Sequence, residues 1–314
     1  KDAEKLASYL KMSPREYRKY LSKARAELKI VEQKICSNNW DKIEYDKIPS
    51  RAGLLYRNAF RKHDEARYDE FLKQVNAGEK KINVGTLYPY EVIKGYVDKC
   101  RSYLGFDSNK HLYDESIETM WKNLKDFTND RDENALVMPD VSGSMQGLPM
   151  AVSVSLAIYF AERNKGKFHN EFITFHSVPS FVTLKDGDSL LKKVYKTMED
   201  GYCGSTNLTR AFETLLAMGK RFNIGNEEMP KTIYVISDME FDAATSSYGD
   251  MNGFTSTTYE RIRGEYSAAG YDMPNIIFWN VNSHQSNLPV KKDDIGTALV
   301  SGCSPSVFKM VVSG

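Results

Sequence analysis

An apolar run that stops on an acid constrains this 314-residue chain more than any other stretch. Residues 134–145 read NALVMPDVSGSM. Ala135, Leu136, Val137 and Met138 form a strand that is apolar throughout and so suits burial on both faces, and Asp140 stands at its carboxyl end. A loop then carries Ser142 and Ser144 before a helical pattern begins at about Leu148. In Asp-x-Ser-x-Ser the three oxygen-bearing side chains alternate, so they can face one point while Val141 and Gly143 turn away. Hard divalent cations take oxygen ligands, and a buried strand that delivers an acid and two hydroxyls to its end builds a cation site.

The residues downstream supply the rest of such a site. Strands and helices alternate from Asn134 onward, beginning with a nearly all-apolar helix from Leu148 to Arg163. Phe168 to Phe175 and Ser180 to Leu184 read as two strands joined at Ser177-Val178-Pro179, a connection short enough to require an antiparallel pair at a sheet edge. Ser189 to Met198 reads as a helix, and the loop Gly201 to Asn207 leads into another from Leu208 to about Phe222. Lys231 to Ser237 (KTIYVIS) is a second buried strand and ends on Asp238. A helix over Thr257 to Ala269, strands over Asn275 to Val281 and Ala298 to Val300, and a helix starting near Ser304-Pro305-Ser306 complete the series. This alternation predicts an α/β fold: a doubly wound, Rossmann-like, mostly parallel sheet covered on both faces. Ligands of such sheets bind at the carboxyl ends of strands, where Asp140, Ser142, Ser144, Thr206 and Asp238 would meet. Pro139 sits oddly before Asp140, because it removes a backbone donor from a strand expected to be central.

The first 130 residues predict only helices. Ser13-Pro14-Arg15-Glu16 is a capping box, followed by Tyr17, Tyr20, Leu21, Ala24, Leu28 and Val31 at helical spacing. Ser50 is expected to cap a helix containing Leu54, Leu55, Ala59 and Phe60, with a separate helix over Asp64 to Val75. Tyr88-Pro89-Tyr90-Glu91 opens another, and Ser116 to Phe127 carries the last amphipathic pattern. The expected organisation is a helical domain over 1–130 and an α/β domain over 131–314, joined by polar residues 129–133. No fixed-period repeat identifies a helical solenoid.

Charge divides the same way. Residues 1–63 hold sixteen Lys/Arg and eight Asp/Glu, although the whole chain carries a net charge of +1. A basic N-terminal segment beside an acidic remainder fits an anionic partner for the former and a cation for the latter, while a simply solvated surface accounts for the charges equally. Within RNAFRKHDEARY, Arg57, Arg61 and Lys62 are the candidates for contacting RNA. Phe60 and Tyr68 read more simply as core or interface residues, and His63 as a surface histidine.

Several classes are excluded. No apolar run is long enough to span a bilayer. The four cysteines are scattered without a C-x-x-C pair, which argues against structural zinc and a disulfide framework and for an intracellular, cytoplasmic setting. There is no G-x-S-x-G elbow, Walker A loop or Rossmann glycine run at a strand end. A phosphatase of the D-x-D type needs an acid where Ser142 stands. His169, His176 and His284 could in principle partner a serine, but two of them flank the expected edge strand, away from the Asp140 rim. A non-enzymatic role is expected.

Asp140-x-Ser142-x-Ser144, Thr206 in Gly-Ser-Thr-Asn and Asp238 at a strand end resemble the metal-ion-dependent adhesion site (MIDAS) of von Willebrand factor A (vWA) domains. The resemblance covers about residues 131–314. It implies a vWA domain holding Mg2+ (or Mn2+ or Ca2+), with Ser142, Ser144 and Thr206 as direct ligands and Asp140 and Asp238 acting through water or as hydrogen-bond acceptors. It also implies that the open metal position takes an acidic side chain from a protein partner. Residues 48–82 (IPSRAGLLYRNAFRKHDEARYDEFLKQVNAGEKKI), with SDMEF and ALVSGCS, look similar to an uncharacterised vWA-containing family. A helical part followed by a vWA domain is similar in order to the Ro autoantigen and related TROVE-module proteins, which implies structured RNA as the alternative partner.

Overall fold

The computed structural model describes residues 2–28, 30–100, 102–126, 134–174, 178–199, 208–238, 256–281, 297–302, 307 and 310–311. The chain divides into two compact units, Lys1–Thr86 and Leu87–Gly314.

The first unit is helical: α1 (Asp2–Tyr9), α2 (Pro14–Glu27), α3 (Val31–Cys36) and α4 (Ser50–Asn76). The expected capping box starts α2. Ser13 Oγ accepts the Glu16 N–H at 3.3 Å, and Glu16 Oε2 accepts the Ser13 N–H at 2.8 Å. One expectation for α4 is corrected. Ser50 is its first helical residue rather than its cap, because Pro49 occupies the cap position and makes no side-chain bond. The two expected helices meet at the expected place: the span Ser50–Asn76 is broken at Asp64, whose φ of −148° and ψ of 45° leave the helical region. Tertiary contacts explain the break: Asp64 Oδ2 accepts from Tyr45 OH at 2.7 Å and from Arg67 Nη1 at 2.9 Å. Arg67 also donates to the carbonyls of Trp40 and Ile43, tying the turn after the kink to the preceding segment. Phe60, Tyr68, Phe71 and Leu72 of α4 form the core of this unit with Ile43, Tyr45 and Ile48.

The second unit opens with α5 (Pro89–Lys99), α6 (Phe106–Asn109) and α7 (Glu115–Lys122). The α/β part follows: β1 (Ala135–Pro139), α8 (Leu148–Arg163), β2 (Glu171–Ile173), β3 (Phe181–Thr183), α9 (Leu190–Glu199), α10 (Leu208–Arg221), β4 (Thr232–Ser237), α11 (Ser256–Ala268), β5 (Asn275–Asn280) and β6 (Thr297–Ser301). The sequence division at 130/131 and the packing division at 86/87 fall in different places for a physical reason. Val92, Ile93 and Tyr96 of α5 are buried, Trp121 of α7 donates to Glu162 of α8 at 2.8 Å, and Glu118 of α7 accepts from the first amides of α9.

β1, β4, β5 and β6 form a parallel sheet in the order β1-β4-β5-β6, and β2 and β3 form a separate antiparallel pair. Strand alternation sorts the apolar residues onto two faces. Leu136, Met138, Ile233, Val235, Ile276 and Phe278 pack with Ala211, Phe212 and Leu215 of α10 and Ile262 and Tyr266 of α11. On the other face Tyr234 stacks on Phe160 of α8, with ring centroids 4.8 Å apart. Every residue of α8 from Ala151 to Ala161 is buried, Ser153 and Ser155 included, in keeping with its nearly all-apolar sequence.

The register also accounts for Pro139. It pairs with Ile236, and the next residue, Asp140, donates its N–H to the Ile236 carbonyl at 2.9 Å. Successive amides of a strand point to opposite sides, so the donor that Pro139 lacks would face away from β4. The ladder to β4 therefore loses no bond. No helix among the described residues is long and apolar enough to cross a membrane.

Candidate metal centre

The parallel pairing of β1 with β4 brings Asp140 and Asp238 to the same carboxyl edge of the sheet, one just past each strand. Both are buried, at 4% and 1% exposure. Asp140 is held by both oxygens: Oδ1 accepts the Ser142 N–H at 2.9 Å, and Oδ2 accepts the Ser237 hydroxyl at 2.7 Å. Ser237 is a contributor that the sequence reading passed over. Its signal was available, because it is the last strand residue before Asp238. The Ser142 and Ser144 hydroxyls lie 3.1 Å apart and are exposed, so two oxygens open outward beside the buried acids. Thr206 lies outside the described residues.

Burial pushes the Asp140 carboxyl above the ordinary aspartate range, and the charge of Asp238 pushes it further. Hydrogen bonds from Ser142 and Ser237 oppose that rise without cancelling it. Two acidic side chains confined at one dry sheet edge repel unless a positive charge lies between or beside them. Their companions are hydroxyls rather than thiols or imidazoles. Among the described residues no three His, Cys, Asp or Glu side chains gather into a cluster. This set of hard oxygen donors with two carboxylates fits Mg2+ better than a thiophilic metal.

Other candidates are placed elsewhere. His169 is hydrogen-bonded to the Asn164 carbonyl at 2.6 Å and faces Asn170 and Asp186; His176 and His284 lie outside the described residues. Cys36 is an exposed free thiol and Cys100 is buried, while Cys203 and Cys303 lie outside the described residues. Of the residues considered for RNA, Arg57 donates to the Leu54 carbonyl at 2.7 Å and Arg61 Nε lies 3.6 Å from Asp69, so both are engaged along α4. Lys62 is exposed, and the aromatic neighbours Phe60 and Tyr68 are buried core.

Residues 134–314 match the family described as Domain of unknown function (DUF7788), and residues 1–131 match Domain of unknown function (DUF2828). The uncharacterized protein L728 of Acanthamoeba polyphaga mimivirus is 30% identical over 328 residues, which cover 99% of this chain and 54% of that protein. The chain thus spans about half the length of that curated relative. Among solved structures, the Deinococcus radiodurans RO (RSR) protein aligns over 87% of this chain and 57% of its own, at 12% identity and a TM-score of 0.46. At that level the likeness carries no argument about function.

Proposed function

The chain belongs to the family described as Domain of unknown function (DUF7788), and on that premise we propose that it is a non-catalytic binding scaffold whose α/β unit holds a divalent cation. The cation is Mg2+, with Mn2+ or Ca2+ as substitutes. Its ligands and supports are Asp140, Ser142, Ser144, Asp238 and Thr206. One observation carries this reading: two buried acids share one sheet edge beside two exposed hydroxyls. A Mg2+ ion bound there supplies an open, Lewis-acidic position for one oxygen of a partner's acidic side chain.

The chain's own residues do the positioning. Ser237 and the Ser142 amide fix the rotation of the Asp140 carboxylate, which leaves the serine hydroxyls on the solvent side. Apolar burial of β1 and β4 keeps both acids at the rim in fixed register. A catalytic role would need a base within reach of a serine, and His169 is instead committed to Asn164, Asn170 and Asp186.

The test is capture of partner proteins by the tagged full chain, eluted first with EDTA and then with salt. The reading predicts proteins that leave in EDTA and that Asp140→Ala fails to retain while its circular dichroism is unchanged. Equal retention by wild type and Asp140→Ala would sink it.

A further inference from the structure

We infer that His169, Asn170 and Asp186 form a second cation site, suited to a borderline divalent ion such as Zn2+ and separate from the sheet edge that carries Asp140. The three residues come from two segments: His169 and Asn170 lie between α8 and β2, and Asp186 lies between β3 and α9. Backbone bonds fix how these segments meet. Asn170 donates its N–H to the Ala161 carbonyl at 2.8 Å, and its own carbonyl accepts the Leu184 N–H at 2.7 Å. Asn170 also holds φ at +62°, a left-handed conformation that costs free energy and recurs at ligand sites. That conformation goes with a side chain set between His169 and Asp186.

The ring of His169 is set for ligation. Its Nδ1 lies 2.6 Å from the Asn164 carbonyl, which can only accept, so Nδ1 carries the proton and Nε2 presents a lone pair. Metal-bound histidines are oriented in this way, by a backbone carbonyl on the other ring nitrogen. Nε2 faces Asp186 Oδ1 at 3.4 Å, and Asn170 Nδ2 stands 3.0 Å from the first and 2.6 Å from the second. The other amide atom, Asn170 Oδ1, is buried and has no hydrogen-bond partner among the described residues. A half-turn about the Cβ–Cγ bond therefore breaks nothing at that end and puts Oδ1 where Nδ2 now stands. One imidazole nitrogen and two oxygens then converge at separations of 2.6 to 3.4 Å. Neighbouring ligands of Zn2+ lie about 3 Å apart, given bonds of about 2.0–2.1 Å. Mixed imidazole and oxygen donors suit Zn2+ better than Mg2+, which takes oxygen. His169 and Asp186 have 43% and 80% of their side chains exposed, so an ion can enter and water can complete its shell. The site lies by the amino end of β1, where Asn164 donates its side-chain amide to the Ala135 carbonyl at 3.0 Å. Asp140 follows the opposite end of that strand, so neither site depends on the other.

Calorimetric titration of the metal-stripped full chain with Zn2+, in millimolar Mg2+, tests the proposal. Wild type should take up Zn2+, and Asp140→Ala and Cys36→Ser should bind it equally well. His169→Ala and Asp186→Ala should each weaken binding by at least about tenfold, since loss of an outer partner alone costs about 10–100-fold. Asp186 is exposed, so its variant keeps the test valid if His169→Ala misfolds. Asn170→Asp offers the third oxygen without a half-turn and should bind more tightly than wild type. No uptake by wild type, or an affinity unchanged in Asp186→Ala and His169→Ala, would overturn the proposal. So would an affinity that falls only in Cys36→Ser or Asp140→Ala, or weaker binding by Asn170→Asp.

Discussion

Replacing Glu118 tests how the helices that precede β1 are held to the α/β unit. Glu118 lies on α7 and is 4% exposed. Its Oε2 accepts the Leu190 N–H at 2.7 Å, and its Oε1 accepts the Leu191 N–H at 3.1 Å and the Tyr96 hydroxyl at 3.1 Å. One side chain thus satisfies the first turn of α9 and a phenol of α5. Glu118→Ala leaves two helix-end amides without their acceptor in the interior, while the Tyr96 hydroxyl keeps the Asp114 carbonyl at 3.2 Å. Part of that loss is recovered by water entering the void, so the expected cost is about 3 kcal/mol. For a unit of this size that lowers the melting temperature by about 6–12 °C.

The charge state adds a signature that simple cavity formation lacks. Burial raises the Glu118 carboxyl above its ordinary 4.5, and the bonds from Leu190, Leu191 and Tyr96 offset that rise only in part. The native state therefore holds this proton more tightly than the unfolded chain. The contribution of this group is fully present below pH 4.5 and is lost as pH rises through the raised native value. Glu118→Gln cannot titrate, so its stability deficit relative to wild type should shrink between acid and neutral pH. Urea unfolding of the three proteins, monitored by tryptophan fluorescence at several pH values, measures both effects. An Ala variant within about 1 kcal/mol of wild type, or a Gln deficit that grows with pH, would refute the reasoning.

Two further perturbations follow from the same structure. Lys193 has only 7% of its side chain exposed and pairs with Glu162 at 2.6 Å, so Glu162→Ala, which strands the ammonium, should cost about 3–5 kcal/mol in urea unfolding. Adding Lys193→Met should recover most of that loss, and a double variant as unstable as the single one would contradict the pairing. Ser13→Ala removes one half of the α2 capping box and should cost about 1 kcal/mol, read as lost helicity or an earlier unfolding transition; no measurable change would mean that the box contributes nothing.

Features set by neighbours along the chain were legible in the sequence. Ser-Pro-Arg-Glu specified the start of α2, and the apolar runs ending on Asp140 and Asp238 specified two buried strands of a parallel sheet with acids at their ends, though not that the two are neighbours. Features set across long sequence separation were not. The helix boundary at Asp64 was legible, but its partner, the hydroxyl of Tyr45 nineteen residues earlier, was not, and neither was the cap of α9 from Glu118, more than seventy residues away. The difficulty with Pro139 dissolved once the register was known, because side and direction of a missing donor are properties of a ladder. For the arginines of α4, composition alone could not distinguish a free cation from one bonded to its own helix. Arg57 and Arg61 proved engaged along α4.

A cation held between Asp140 and Asp238 should stabilise the fold that places them. The most direct measurement is the melting temperature of the EDTA-stripped full chain with and without Mg2+, for wild type, Asp140→Ala and Asp238→Ala. The account predicts a saturable upward shift in wild type, equivalent to about 2.7 kcal/mol when Mg2+ exceeds its dissociation constant a hundredfold, and its disappearance in both variants. A wild-type chain indifferent to millimolar Mg2+, or variants that respond as wild type does, would contradict it.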